Sequence, residues 1–162
     1  MVKLNLGCGD MVMEGFTNID LFSEDPRVVK ADVMNLPYEE NSVDLIYTSH
    51  LIEHFDYHEG RLFLAEMYRV LKPGSECVVE TPELTNLCRR FATTPEHEQY
   101  KLYGILFGMP WVPRGAHLFL YTRGHLKAYM KDAGFIDINE RMARRYISWE
   151  DICVRLHGWK SK

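Results

Sequence analysis

The sequence of 162 residues lacks several features that would place a chain in a specialised class of proteins. It has no internal repeat, no low-complexity tract and no apolar run near the roughly 20 residues that a membrane-spanning helix needs. Hydrophobic residues make up 46% of the chain and charged residues 26%, as in ordered globular proteins. We therefore expect a single domain over residues 1–162 that has no membrane partner, and the oligomeric state stays open.

Cysteine is scarce, and its placement does not indicate a metal site. The four cysteines show no metal-ligand spacing, and no other residue pattern predicts a bound metal. Because the chain enters an apolar strand pattern at once, we expect no signal peptide and a cytoplasmic protein with reduced thiols. These thiols belong to Cys8, Cys77, Cys88 and Cys153.

Positive charge is also in deficit, since the formal net charge is −4. A basic field normally dominates the affinity for nucleic acid, so this balance argues against a nucleic-acid partner. The C-terminal part is nevertheless basic, which predicts a solvated face or, as the alternative, a patch for an anionic substrate. Its basic residues are Arg141, Arg144, Arg145, Arg155, Lys160 and Lys162.

The most informative stretch is Leu4–Asp10, which reads Leu-Asn-Leu-Gly-Cys-Gly-Asp. An apolar run that stops at Gly7 and Gly9 predicts a buried strand followed by a tight turn, where backbone without side chains can approach a ligand. The alternative is a turn that needs glycine only for its positive φ angles.

Three further apolar runs are each followed by a polar side chain. They end at Asp20, at Asp32 and at Ser49. Because the carboxyl ends of parallel strands meet at one edge of a sheet, we expect these residues to lie beside Gly7 in a cofactor crevice. Asp20 can accept both hydroxyl hydrogens of a ribose. Asp32 can receive an adenine amine, or it can cap its own turn.

The rest of the chain alternates between helix and strand patterns, which predicts an α/β fold with a doubly wound, mostly parallel, Rossmann-like sheet and an antiparallel C-terminal strand. The connection from Gly7 to Gly15 is too short for a crossover helix, so we expect a shortened first crossover. The later predicted elements are a helix over Tyr57–Leu71 ended by Lys72-Pro73-Gly74, a strand over Glu76–Thr81, a helix from Thr122 to Gly134, and a strand pair over Phe135–Arg145 and Asp151–Gly158.

In this order the motifs resemble the class I S-adenosylmethionine-dependent methyltransferases, specifically the small methyltransferase type 11-like kind. LNLGCGD is similar to their glycine-rich first motif and NIDL to their ribose-binding acid. ADVMNLPYEENSVDLIYTSHLIEH is similar to their adenine loop and fourth strand, YRVLKPGSECVVETP to the helix, turn and fifth strand, and YTRGHLKAYMKDAGF to the helix before the final strand pair. Two positions depart from the pattern: Met11 replaces the usual third glycine, and Asn5 replaces the usual acid.

The resemblance implies S-adenosyl-L-methionine as cofactor and S-adenosyl-L-homocysteine as product. The shortened crossover also favours this cofactor over a dinucleotide, whose pyrophosphate needs a helix N-terminus. By the same resemblance, Ser49 and His50 line the methionine end of the cofactor. The predicted cofactor-binding residues are Leu6, Gly7, Cys8, Gly9, Asp20, Leu21, Asp32, Val33, Ser49 and His50.

Residues 85–121 are the least regular stretch and contain aromatic residues and prolines. They predict a cap over an acceptor pocket; alternatively, the aromatic residues pack a small core of their own.

We expect methyl transfer to a small-molecule or sugar-like acceptor at oxygen. The alternatives are a catalytically degenerate cofactor-binding module or partner subunit and, less favoured, a nucleotide-dependent oxidoreductase. Candidates for a general base are His50, His117 and His54, because histidine titrates near neutral pH.

Overall fold

The computed structural model describes residues 1–141 and 152–162, which contain seven strands in one sheet. The strands are β1 (Lys3–Leu6), β2 (Thr17–Ile19), β3 (Val28–Val29), β4 (Val43–Ser49), β5 (Leu71–Pro82), β6 (Ile136–Glu140) and β7 (Cys153–Trp159). Their order across the sheet is β3-β2-β1-β4-β5-β7-β6. Strands β1 to β5 run parallel, and β7 pairs antiparallel with both β5 and β6. The predicted fold class is confirmed.

Within these described residues, four α-helices accompany the sheet: α1 (Tyr57–Val70), α2 (Leu84–Thr93), α3 (Tyr103–Phe107) and α4 (Arg123–Asp132). Two 3₁₀ helices cover Ile52–His54 and Glu96–Leu102. None of the helices in the described part of the chain has the length and hydrophobicity that crossing a bilayer requires.

The hydrophobic core lies between one face of the sheet and the helices α1 and α4. Side chains alternate between the two faces along each strand, and residues paired across neighbouring strands point to the same face. Leu4 pairs with Ile46 and Ile46 with Cys77, so these three side chains share the core face. Their side chains are fully buried, together with Phe63 of α1 and Met130 of α4. Burying each of these side chains contributes about 1.5–3 kcal/mol, so this face carries most of the apolar stabilisation.

The opposite sheet face is markedly more polar. Glu80 and Arg155 form an ion pair there that is almost completely buried, and the His157 Nδ1 lies 2.7 Å from a Glu76 carboxylate oxygen. Arg155 also stacks over the ring of Tyr47. The face is polar because the connections from β1 to β4 contain no helix that would cover it with apolar side chains.

The ends of α1 and α4 follow from their capping residues. The Asp56 carboxylate accepts hydrogen bonds from the backbone of His58 and Glu59, and the Glu59 side chain accepts one from the Asp56 N–H, which completes a capping box. The Thr122 hydroxyl accepts a hydrogen bond from the His125 N–H, as its predicted position before α4 requires. Gly134, with φ of 107°, ends that helix as predicted.

Residues 7–16 connect β1 to β2 without a helix, which confirms the shortened crossover. The Asn5 amide holds this connection by donating to the Met11 carbonyl at 2.9 Å and to the Asn18 side-chain oxygen at 2.8 Å. Met11 does not have a positive φ angle, so its position does not need the usual third glycine. Both departures from the family motif therefore have a local structural explanation.

Several predicted boundaries and surfaces differ from the structure. β5 begins at Leu71, directly after α1, because the Lys72-Pro73-Gly74 turn is an irregularity within the strand. The predicted solvated basic face is wrong for Arg155, which is buried against Glu80, and for Lys160, whose Nζ donates to the Tyr68 carbonyl at 2.9 Å. The predicted strand positions 142–145 and 151, which include Arg144 and Arg145, lie outside the described residues.

Candidate functional site

The glycine loop (residues 7–9) turns sharply at the end of β1. Gly7 and Gly9 have φ angles of 64° and 49°, in the left-handed region that favours glycine. The N–H groups of Gly7 and Cys8 both donate to the Ile19 carbonyl, which fixes the loop against β2. A Cβ atom on Gly7 would lie 2.6 Å from the Leu51 side chain, so a larger residue at this position would have to displace Leu51.

Asp20 follows β2 directly and is tied to the same loop. One carboxylate oxygen accepts a hydrogen bond from the Gly9 N–H at 2.9 Å, and the other accepts from the N–H groups of Phe22 and Ser23. A carboxylate has about four acceptor positions, so a position stays open for a ribose hydroxyl. The structure therefore places Asp20 beside the glycine loop, as the sequence predicts.

The other predicted cofactor-binding residues differ in burial and in their hydrogen bonds. Leu6 and Cys8 are buried, and Leu21 is exposed. Burial raises the pKa of the Cys8 thiol to about 11. Asp32 lies three residues beyond the end of β3, where its carboxylate accepts from the Met34 N–H at 2.9 Å, whereas Val33 is buried. The turn-capping alternative thus describes Asp32 in this structure, and its adenine contact stays a prediction.

Ser49 ends β4, and His50 follows it with a strained φ of 53°. Both ring nitrogens of His50 have partners: Nδ1 lies 3.2 Å from a Glu53 carboxylate oxygen and Nε2 lies 3.7 Å from the Cys153 sulfur. Burial alone would lower the pKa of His50, but these contacts outweigh burial and raise the pKa to about 10. The ring is therefore held in its cationic form by two neighbours.

His54 and His117 lie next to each other although 63 residues separate them in sequence, with ring centroids 4.8 Å apart. His54 Nδ1 lies 3.0 Å from the Ala116 carbonyl, and His117 Nδ1 lies 2.7 Å from the Ile105 carbonyl. A carbonyl can only accept, so each Nδ1 carries a hydrogen, and in the neutral form of each ring the lone pair is then on Nε2. Burial also lowers the pKa of His117.

Glu53 lies fully buried beneath these rings. The Thr81 hydroxyl donates to its carboxylate at 2.9 Å, and the His50 contact holds the other oxygen. Its backbone carbonyl accepts from the N–H groups of Leu118 and Phe119, which brings the His117 segment to the start of α1. We call Glu53, His54 and His117 the histidine–glutamate cluster.

A cavity of about 400 Å³ opens on the polar side of the sheet, beneath the connection from β1 to β2. It takes in the predicted residues Gly7, Cys8 and Ser49 and lies between strands β1 and β4. Sequence reasoning missed its other lining residues, although the shortened crossover itself indicated that a helix was missing above β1. These residues are Asn5, Met11, Val12, Met13, Glu14, Phe16 and Tyr47.

The cap segment (residues 85–121) folds into α2, a 3₁₀ helix and α3, followed by an irregular stretch. Tyr103 stacks on Phe91 and contacts Phe107 edge to face. Other apolar side chains of the segment face solvent, and Trp111 is 80% exposed. The predicted small core is therefore only partly formed, and the acceptor-side role stays a prediction.

A model of the family described as "Methyltransferase domain" matches residues 4–79, which hold the glycine loop, Asp20, Asp32 and the residues after β4. Residues 4–79 of the chain therefore match a methyltransferase domain, of which the sequence motifs are typical. This confirms the resemblance seen in the sequence motifs, and S-adenosylmethionine as the predicted cofactor is confirmed with it.

Two known methyltransferases are similar in sequence. The chain is 37% identical over 86 residues to a sterol 24-C-methyltransferase from Pneumocystis carinii, which covers 53% of this chain and 22% of that protein. It is 27% identical over 119 residues to the ubiquinone/menaquinone biosynthesis C-methyltransferase of Desulfotalea psychrophila, which covers 67% of this chain and 46% of that protein. The chain thus spans less than half the length of either relative.

The fold is similar to that of a solved S-adenosylmethionine-dependent methyltransferase from Methanosarcina mazei. The sequences are 18% identical, the TM-score is 0.66, and the match covers 98% of this chain and 92% of the other. The likeness therefore extends over the sheet and the cap segment, well beyond the residues of the family match.

Proposed function

We propose that this chain transfers the methyl group of S-adenosylmethionine to an oxygen of a small-molecule acceptor. The observation that carries the proposal is that Leu51 links the histidine–glutamate cluster to the glycine loop. The Leu51 side chain packs against Gly7, and its carbonyl accepts from the His54 N–H at 3.0 Å. The groups that can deprotonate an acceptor are thus connected through one residue, Leu51, to the loop that would bind the methyl donor.

Methyl transfer from a sulfonium is an in-line displacement, so aligning donor and acceptor supplies much of the rate. We assign a ribose hydroxyl to Asp20, the adenine side to Asp32 and Val33, and the methionine end to Ser49 and His50. A hydroxyl acceptor must also lose its proton as the methyl group arrives. The Nε2 lone pair of His117 suits this role, whereas both nitrogens of His50 already have partners.

The exposed apolar side chains of the cap segment favour an acceptor with an apolar part over a sugar. Phe107 and Trp111 are 60% and 80% exposed, and Leu118, next to His117, is 58% exposed. Contiguous exposed apolar patches mark binding surfaces, and we propose that these side chains form such a patch on the acceptor side. The two relatives are named for a sterol and for ubiquinone/menaquinone biosynthesis, which supports an apolar acceptor. Both are named C-methyltransferases, so the choice of oxygen rests on the residues of this chain.

The test combines cofactor binding with transfer of labelled methyl to a pool of small alcohols, phenols and quinols. We expect His117→Gln to lower turnover by about 100- to 10,000-fold, the range for a positioned general base, with S-adenosylhomocysteine affinity unchanged. His97→Ala is the matched control, because His97 is exposed and lies elsewhere in the cap segment.

Three results would contradict parts of this proposal. A product whose new methyl signal in NMR belongs to a carbon-bound group would overturn the oxygen assignment. Tight cofactor binding without transfer to any compound would favour the degenerate module or partner subunit instead. Absence of cofactor binding by the folded chain would remove the function altogether.

A further inference from the structure

We propose that the histidine–glutamate cluster is a binding site for a divalent transition-metal ion of the Zn²⁺ class. Each of its three residues offers one ligand atom, and these atoms lie within 4.8 Å of one another. The proposal rests on the proposed function for its role in catalysis, but the metal site itself can be tested without any turnover.

The two histidines have the hydrogen-bonding pattern of metal ligands. A metal-bound histidine usually donates its second ring N–H to a carbonyl or carboxylate, which fixes both the tautomer and the ring orientation. Here the carbonyls of Ala116 and Ile105 receive those hydrogens from His54 and His117. Both Nε2 lone pairs are therefore available without any change of tautomer.

Glu53 supplies the negative charge that the site needs. Its carboxylate is fully buried, and a buried charge is costly unless it is well compensated. The Thr81 hydroxyl and the His50 ring each contact it, so the carboxylate is already held in a fixed orientation. A cation at the cluster would add a second positive partner on the side of His54 and His117.

The donor set indicates which ions suit the site. Two imidazole nitrogens and one carboxylate oxygen suit Zn²⁺, Co²⁺ or Fe²⁺, whereas Mg²⁺ prefers oxygen ligands alone. Ligands at about 2.0–2.2 Å from Zn²⁺ lie closer together than 4.8 Å, so the cluster would contract slightly on binding. Three protein ligands leave a position open, as in catalytic zinc sites.

That open position gives the ion a defined role. An acceptor hydroxyl that binds there would release its proton to solvent, because a coordinated oxygen has a strongly lowered pKa. The oxygen would then form a bond to the methyl carbon while the carbon–sulfur bond breaks and its electron pair returns to sulfur. The products would be the methyl ether and S-adenosylhomocysteine. With the ion bound, the Nε2 lone pair of His117 would bind the metal, and the lowered pKa of the coordinated hydroxyl would replace the general base that the metal-free chain uses.

The experiment is a titration of chelator-treated protein with Co²⁺ and Zn²⁺, followed by calorimetry and by the visible spectrum of bound Co²⁺. We expect one equivalent to bind, with Co²⁺ bands typical of a site containing nitrogen ligands. His54→Gln, His117→Gln and Glu53→Gln should each weaken binding by at least tenfold. His97→Ala should bind as the unaltered chain does, since its exposed ring lies outside the cluster.

Circular dichroism identifies variants that fail to fold, and two folded variants suffice for the comparison. Stoichiometric binding that the three cluster variants do not weaken would place the ion elsewhere and overturn the inference, as would no binding at all. Turnover that persists in chelator with an unloaded cluster would overturn the catalytic role while the proposed methyltransferase function stands. Metal binding without any S-adenosylhomocysteine binding would support the site and contradict the proposed function.

Discussion

The side chain of Leu51 occupies the space that a Cβ atom on Gly7 would need, at 2.6 Å. Gly7 also has a φ of 64°, so the backbone conformation favours glycine, and any side chain there would have to displace Leu51. We expect Gly7→Ala to displace the loop or Leu51, to weaken S-adenosylhomocysteine binding and to lower the midpoint of urea unfolding.

Gly9→Ala is the matched comparison for this change. Gly9 has a similar φ of 49°, but nothing lies within 4 Å of its Cβ position. Its substitution should cost only the backbone strain of about 1–2 kcal/mol. Equal effects of the two substitutions in urea unfolding and in calorimetry would show that the Leu51 contact is unimportant.

Asp20→Ala should weaken S-adenosylhomocysteine binding by about 2–3 kcal/mol, the range for hydrogen bonds to charged groups. The same change removes acceptors from the N–H groups of Gly9, Phe22 and Ser23, so some loss of stability should accompany it. Asp10→Ala is the control, because Asp10 is an exposed carboxylate beside the same loop. Calorimetry in which both variants bind like the unaltered chain would assign the ribose to another residue.

Glu66 joins α1 to the predicted adenine loop. Its carboxylate accepts from the Leu36 N–H and from the Arg69 guanidinium, each at 2.7 Å, and the ion pair with Arg69 holds the pKa of Glu66 below its usual value. A lowered folded-state pKa adds stability above the unfolded-state value of about 4.3, and that stability is lost as the pH falls through the lowered value.

We therefore expect Glu66→Gln to reduce the free energy of unfolding at pH 7 by about 1–3 kcal/mol. The difference from the unaltered chain should shrink as the pH is lowered through the acid range. Urea unfolding followed at a series of pH values measures it. A difference that stays constant with pH would mean that the carboxylate charge is irrelevant to stability.

The reactivity of two cysteines should differ strongly at pH 8. Cys8 is buried with a thiol pKa of about 11, so only about one thiol in a thousand is ionised at that pH. Cys88 is exposed on α2. We expect iodoacetamide to modify Cys88 within minutes and Cys8 far more slowly, as followed by peptide mass spectrometry. Rapid labelling of Cys8 in the folded chain would show that the glycine loop opens readily.

Local signals in the sequence predicted much of this structure. Thr122 and Gly134 bound α4 because a hydroxyl N-cap and a left-handed C-terminal glycine act within a few residues. The position of Asp20 at the end of a strand was predictable because it follows an apolar run directly. The position of Asp32 was not, because β3 contains only two residues and the Asp32 carboxylate then caps a turn by accepting from the Met34 N–H.

The histidine–glutamate cluster was beyond sequence reasoning for a different reason. Spacing rules find ligands on one helix or one turn, whereas His54 and His117 meet through tertiary contacts. The carbonyl of Glu53 binds the backbone of Leu118 and Phe119, and nothing in the intervening cap segment indicates that pairing. The sequence supplied the residue types and the histidine candidates, and the fold supplied their proximity.

The two outer strands of the sheet limit how this chain can associate with other chains. An exposed strand edge presents unpaired backbone groups to any passing strand. Here one outer strand, β3, has only two residues, and the other, β6, is interrupted by an irregularity at Asp137, whose φ is 51°. Neither edge is a regular template for strand addition. Self-association at high concentration should therefore proceed through side-chain surfaces and leave the strand content unchanged.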